Sequence, residues 1–393
     1  LEKAQDHINL GTAFSLSRRY EDAIVEFKRA LELSPSDGEI LFQLGGLCTN
    51  VGNYGDAETY FRKSLDLNPM NLNAHVKLGL LLEVQGKYPE AVEEFRKAVE
   101  LNPGDAGLYN NLGNVFSKMG RYGDAVEQYQ KYISINPSNA EIFFKMGYAH
   151  EQAGELDGAI SAYERALMAN PRHAAVYAIL GNAYLKQGEY AAAITQFQQA
   201  LKINPNEPEV HLKLGQAYMS MGRYDEALEV LKQAREKNPN NTEVYLKMGM
   251  IYAGRGQHEE AIQMYRKVME INPHDASVHN VLGYIYDKQG DLQKALEEYR
   301  AAKKINPNDV LILENLGNLN YRQGNFDEAA GDYEKVVALN PSHGEAHSKL
   351  GNIYLKKGDR PLAVSHWEKA LALDPGNEIL KNNLKILGET RPV

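Results

Sequence analysis

Proline recurs with a period of 34 residues, and that period constrains the chain more than any other feature. It stands at Pro35, Pro69, Pro103, Pro137, Pro171, Pro205, Pro239, Pro273, Pro307, Pro341 and Pro375. With these prolines at position 32 of a unit, residues 4–377 divide into eleven units with no insertion. A fixed period of this length means one supersecondary element copied many times. Each copy is too small to bury its own apolar face and depends on its neighbours.

Four more positions keep the register. Position 8 is always Gly, from Gly11 to Gly351, and position 20 is always Ala, from Ala23 to Ala363. Position 15 is Gly in ten units, with Arg18 the exception. Position 24 is aromatic in ten units, from Phe27 to Trp367, with Leu231 the exception. Between these markers the apolar residues fall at helical spacing, as in Ile179, Leu180, Ala183 and Tyr184, then Ala193, Ile194, Phe197, Ala200 and Leu201. Each unit therefore reads as two short amphipathic helices, A and B. Gly at position 15 suits the left-handed turn that closes helix A. Gly at 8 and Ala at 20 let the two backbones approach, and the aromatic at 24 fills the space around them. Pro at 32 ends helix B. Asp or Asn at position 34 (Asp37, Asn71, Asp105, Asn139, Asn241, Asp275, Asp309, Asn377) is placed to cap the next helix.

This pattern resembles the tetratricopeptide repeat family over nearly the whole chain. The resemblance implies an all-α, right-handed superhelical α-solenoid of helix-turn-helix units, with the A helices lining a concave face. Residues 4–377 are expected to form one solenoid of eleven repeats. Residues 378–393 are expected to form a capping helix and tail, with Leu380, Leu384 and Leu387 as its apolar stripe, Lys381, Asn382 and Lys385 facing away, and Gly388 ending it. Repeat 1 begins almost at Leu1, so an upstream segment or a docking partner is expected to cover that end.

Composition narrows the function classes. A formal net charge of −9 disfavours nucleic acid or an anionic membrane as the main partner. A run of about 18 apolar residues, which a membrane-spanning helix needs, does not occur, so membrane insertion is not expected. The lone Cys48 forms no internal disulfide and leaves the compartment open, cytoplasmic and periplasmic alike. Phosphate-loop, dinucleotide-binding, HExxH and GxSxG motifs are missing, and 21 of the 33 glycines occupy positions 8 and 15. The chain reads as non-catalytic and without a cofactor. His343, Glu345 and His347 form an H-x-E-x-H string without a matching second pair, so a metal is not expected there. Five histidines (His7, His75, His211, His279, His347) share position 4; they read as packing residues, with a pH-sensing row as the sharper alternative.

The resemblance assigns positions 2, 5, 6, 9, 12 and 13 of helix A to a groove. Glu at 2 and Lys at 6 recur as pairs four apart (141/145, 209/213, 243/247, 345/349), a spacing that adds about 0.2–0.5 kcal/mol per pair to an isolated helix. Asn110, Asn111, Asn114 and Asn182 present amides that both donate and accept, which suits the backbone of an extended peptide. Phe42, Val76 and Leu80 in repeats 2–3, and Phe144, Tyr148, Leu212, Met219, Leu246 and Met250 in repeats 5–8, form two candidate apolar anchors with the Asn-rich stretch between them, while Lys145, Lys213 and Lys247 belong to a lysine row that can read acidic groups on a ligand. Part of this apolar set can instead pack between adjacent A helices. Position 5 carries no Lys in any repeat, so the carboxylate clamp that reads acidic chaperone tails is missing. The chain is thus expected to be a scaffold or adaptor binding a protein or extended peptide. Two alternatives stand beside it. One is the substrate-recruiting repeat region of a larger enzyme, as in O-linked N-acetylglucosamine transferases, whose asparagine ladder is here broken at position 6. The other is self-assembly.

Overall fold

The computed structural model describes residues 3–389. Among them run 23 α-helices, from Ala4–Leu16 to Glu378–Glu389. The first 22 pair as helices A and B of eleven successive repeats, and within each of the two units described below each helix packs on the next along the chain. The chain divides into two compact units, Leu1–Pro205 and Asn206–Val393. The first holds repeats 1–6, and the second holds repeats 7–11 with the terminal helix.

The local rules are met one by one. All ten glycines at position 15 have positive φ, between 72° and 85°. Arg18, at the same position of repeat 1, is driven to φ 58°, a conformation that costs an L-residue about 1–2 kcal/mol. A Cβ on Gly181 would lie 2.7 Å from the Phe197 ring, and one on Gly283 2.7 Å from Tyr299. Position 8 therefore admits no side chain, because the aromatic of position 24 already lies against the backbone. Asp37, Asn71, Asp105, Asn139, Asn241, Asp275, Asp309 and Asn377 all accept from backbone N–H groups of the following helix, as expected. His343 does the same through its imidazole, accepting from the Ala346 N–H at 3.2 Å.

In the first unit Phe61, Phe95, Phe116, Tyr129 and Tyr163 are buried in one cluster that continues through Leu180. In the second, Tyr265 and Tyr299 anchor one cluster and Tyr333 with Leu350 another. Trp367, Ala370 and Leu380 close the C-terminal end, with Leu384 and Leu387 against them. The terminal helix thus docks by the expected stripe, while Lys381, Asn382 and Lys385 are exposed. It runs through Gly388 to Glu389 instead of stopping at the glycine, and its outer side bears the exposed Ile379 and Ile386.

Position 4 has a structural task that its residue types did not announce. The Nε2 atoms of His75 and His347 lie 2.9 and 3.2 Å from the carbonyl oxygens of Pro69 and Pro341. The hydroxyls of Tyr109 and Tyr245 donate to Pro103 and Pro239 at 3.1 and 3.0 Å. Each bond fastens the turn between repeats to the helix that follows, satisfying a carbonyl that the proline break leaves outside any helix.

Candidate functional site

The A helices of consecutive repeats lie side by side within each unit, and polar bonds between residues 35 apart stitch them together. Position 13 reaches position 12 of the preceding repeat: Lys118 to Glu83 at 2.8 Å, Lys186 to Glu151 at 2.6 Å, and Arg322 to Asp287. Position 6 reaches position 5 in the same way. Lys145 donates to Asn110 at 3.0 Å, and Asn315 to Asn280 at 3.0 Å. Charges that looked available to a ligand are therefore partly neutralised by the neighbouring repeat.

One recess of about 290 Å³ opens on this face in the first unit. Its walls come from helix A of repeat 3 (Leu72–Val84; Glu83), of repeat 4 (Ala106–Lys118; Asn114, Ser117, Lys118) and of repeat 5 (Ala140–Gln152; Phe144, Lys145, Tyr148), with Tyr129 behind them. Four of the residues singled out from sequence, Asn114, Phe144, Lys145 and Tyr148, meet here. Tyr148 is 45% exposed, the largest apolar surface offered at the rim. Phe144 is half-buried, packing against Tyr163 and stacking on His173. The Tyr129 hydroxyl donates to Asn114 at 3.1 Å, and burial, then Glu83, pushes its pKa well above the usual phenol range. That proton stays on the oxygen, so Asn114 is oriented by a fixed donor. Lys145 also meets Glu141 at 3.0 Å. The recess combines one aromatic rim, one amide, one lysine and a neutralised Glu83–Lys118 pair.

The remaining candidates separate from it. Asn110 is engaged by Lys145, and Asn111 and Asn182 are half-exposed at their own repeats. In the second unit Lys213 and Lys247 pair with Glu209 and Glu243 at 3.5 and 3.2 Å, the i,i+4 arrangement expected of them. Leu246 is half-buried against the repeat 8–9 core. Leu212 is 0% exposed and offers no surface to a ligand, which corrects its assignment to an exposed anchor. The reason is general to position 5: this side of helix A is covered by packing, and Phe42, Phe144 and Leu246 also sit against core clusters. Met250, at position 9, is 58% exposed.

Position 9 offers apolar surface in four repeats. Leu80, Tyr148, Met250 and Tyr284 occupy it in repeats 3, 5, 8 and 9, and all four are exposed. Tyr284 was missed at the sequence level although it shares the slot of Tyr148. Glu83, Ser117 and Lys118 were missed because their spacing from Asn114 and Tyr148 carries no signal until the repeats are stacked.

The His343–Glu345–His347 string does not converge. His343 caps its helix and faces Glu314 at 3.3 Å. His347 turns instead to His366 on helix B, with Nδ1 atoms 3.0 Å apart. Burial, then the neighbouring His347, holds His366 below the usual imidazole range.

Family models described as tetratricopeptide repeat match residues 7–37, 38–71, 144–208, 184–251 and 315–378. A further TPR repeat model matches 84–120, 114–154, 249–290 and 283–324. The chain belongs to the tetratricopeptide repeat family. No curated protein matches the chain. Among solved structures, MamA is 26% identical, covering 44% of this chain and 94% of its own at a TM-score of 0.41. YrrB, described as a TPR protein with an unusual peptide-binding site, is 21% identical over 47% of this chain and 95% of its own, at 0.42. Yeast Tom70 is 20% identical over 98% of this chain and 95% of its own, at 0.39. Among the described residues of this tetratricopeptide repeat protein, no helix is long and apolar enough to cross a membrane.

Proposed function

We propose that the chain is a non-catalytic scaffold whose A-helix face binds a protein partner through an extended segment. The recess bounded by Asn114, Phe144, Lys145 and Tyr148 is the principal contact. One observation carries the reading: four residues chosen from sequence as groove candidates line one open recess with an exposed aromatic at its rim. An oriented amide beside an aromatic surface suits a peptide backbone flanked by an apolar side chain. In this reading residues 4–377 work as one array of eleven repeats, and residues 378–393 are its terminal cap. Binding in place of catalysis is supported by the pairing of the face's carboxylates with lysines and arginines of the next repeat.

The test is affinity capture from source-cell lysate by the wild-type chain and by a Tyr148→Ala, Lys145→Ala double variant. Both side chains lie outside the fully buried core, so the variant keeps its helical content. A partner retained by the first and lost by the second supports the reading. An identical captured set shows that this recess is not the working surface.

A further inference from the structure

Position 4 and position 23 face each other inside a repeat, and their pairing differs from repeat to repeat. In repeats 1, 3 and 9 a histidine meets a glutamate: His7–Glu26, His75–Glu94 and His279–Glu298, each at 2.6 Å. In two of these a cation from the next turn also holds the carboxylate, Arg29 on Glu26 at 2.8 Å and Lys97 on Glu94 at 2.9 Å. Both ring nitrogens of His75 face oxygen atoms, those of Glu94 and of the Pro69 carbonyl. In these repeats a glutamate oxygen already occupies the place beside the histidine Nδ1.

Repeat 11 is different. Position 23 is His366, and no carboxylate stands opposite His347. The His347 Nε2 lies 3.2 Å from the Pro341 carbonyl, which engages that nitrogen and turns Nδ1 toward helix B. The two Nδ1 atoms, of His347 and His366, lie 3.0 Å apart. Two imidazole nitrogens that each bind one ion at about 2.0–2.1 Å, with an angle between right and tetrahedral, are separated by about 2.9–3.4 Å. A backbone carbonyl holding the far nitrogen of a ligating histidine is also the usual outer-sphere arrangement of such sites. The pair lies in a recess of about 600 Å³ lined by Glu334, Val337, Pro341, Lys369 and Leu373, with His366 half-buried at its wall. Glu334 is engaged by the Tyr354 hydroxyl, and the Tyr354 ring stacks on His366 with centroids 5.6 Å apart. The stack fixes the His366 plane.

We propose that His347 and His366 form a two-histidine site for a divalent transition-metal ion of the zinc class. Borderline-soft ions prefer imidazole, whereas magnesium and calcium do not. No group of three or more His, Cys, Asp or Glu side chains placed around one ion occurs among the described residues, so water completes the coordination. Binding takes the place of the direct Nδ1···Nδ1 contact between the two rings. It joins helices A and B of the last complete repeat (Gly344–Lys356 and Arg360–Leu373) at their buried faces.

The test is calorimetric titration of the full chain with zinc chloride, with magnesium chloride as control. Two variants keep the local hydrogen bonds while removing a ligand. His366→Gln retains an N–H donor toward His347. His347→Tyr installs the residue that fastens the same turn in repeats 4 and 8. The expected result is one zinc per chain in the wild type, at least tenfold weaker in both variants, and no magnesium binding at the same site. Undiminished binding in either variant, or no saturable single site in the wild type, overturns the proposal.

Discussion

The A-helix faces of the two units carry the same sequence signals and put them to different use. In Leu1–Pro205 an asparagine, a phenylalanine, a lysine and a tyrosine from neighbouring repeats meet around one recess. In Asn206–Val393 the matching slots hold Leu212, Lys213, Leu246, Lys247 and Met250. Leu212 is buried, Leu246 packs on the core, and both lysines answer glutamates on their own helices. Only Met250 of that set is exposed. Repeat position alone therefore does not make a surface. A side chain at position 5 is covered, one at position 9 is offered, and the carboxylates at position 12 (Glu83, Glu151 and Asp287) are answered by position 13 of the next repeat.

The sharpest test of this contrast sets Leu212→Asp against Tyr148→Asp. The first places an unpaired carboxylate where no water reaches and is expected to cost about 4 kcal/mol or more. The second changes an exposed rim residue and is expected to cost under about 1 kcal/mol. Denaturant unfolding of each variant measures both; equal losses would mean that Leu212 is not buried in solution.

A second test grades the helix contact inside a repeat. A Cβ on Gly249 would lie 2.9 Å from the Tyr265 ring, and one on Gly113 would come closer still to Tyr129. Overpacking of this kind costs about 1–3 kcal/mol. Gly113→Ala is expected at the upper end and Gly249→Ala at the lower, read as melting temperatures. The reverse order would show that the first unit yields more easily than its packing suggests.

Buried carboxylates sharpen the comparison further. In the second unit Asp332 is 2% exposed, held by Lys303 and by Asn320 at 3.3 Å. Burial nevertheless raises its pKa above the usual carboxylate value, outweighing Lys303. A raised carboxyl pKa means that the folded state binds the proton more tightly than the unfolded one, so stability from this group falls as pH rises through its folded pKa. Relative to Asp332→Asn, the wild type is expected to gain stability as pH is lowered from 7 toward 4. Parallel melting curves for the two proteins across that range would contradict it.

The smallest effect lies at the start of the array. Arg18 holds the left-handed turn that glycine holds in the other ten repeats. Arg18→Gly is expected to stabilise repeat 1 by about 1 kcal/mol, with Gly120→Ala destabilising repeat 4 by a similar amount. Hydrogen exchange at helix Ala4–Leu16 would report the gain; unchanged or faster exchange would refute it.

Much of the candidate site was legible before any coordinates. Asn114, Phe144, Lys145 and Tyr148 were marked by their repeat positions, and the structure brings them together. Tyr284 was legible in principle, since it shares position 9 with Tyr148, whereas the burial of Leu212 at position 5 is set by the neighbouring repeats and is not visible in its own. The position-13 to position-12 ion pairs were not legible, because an ordinary i,i+4 partner often competes for the same charge along the helix. The His347–His366 pairing was hidden behind a nearer string, His343–Glu345–His347, whose members the helix turn directs apart.

The sequence by itself determined the repeat: where each helix starts, where it turns and which aromatic meets which glycine. Those constraints act within a single 34-residue unit, through positive φ, excluded Cβ volume and proline's missing donor, so they can be read locally. The tertiary structure decided which polar and apolar groups remain available. Their partners lie 19 or 35 residues away on other helices, and burial or pairing at a repeat is set by its neighbours and not by its own residues.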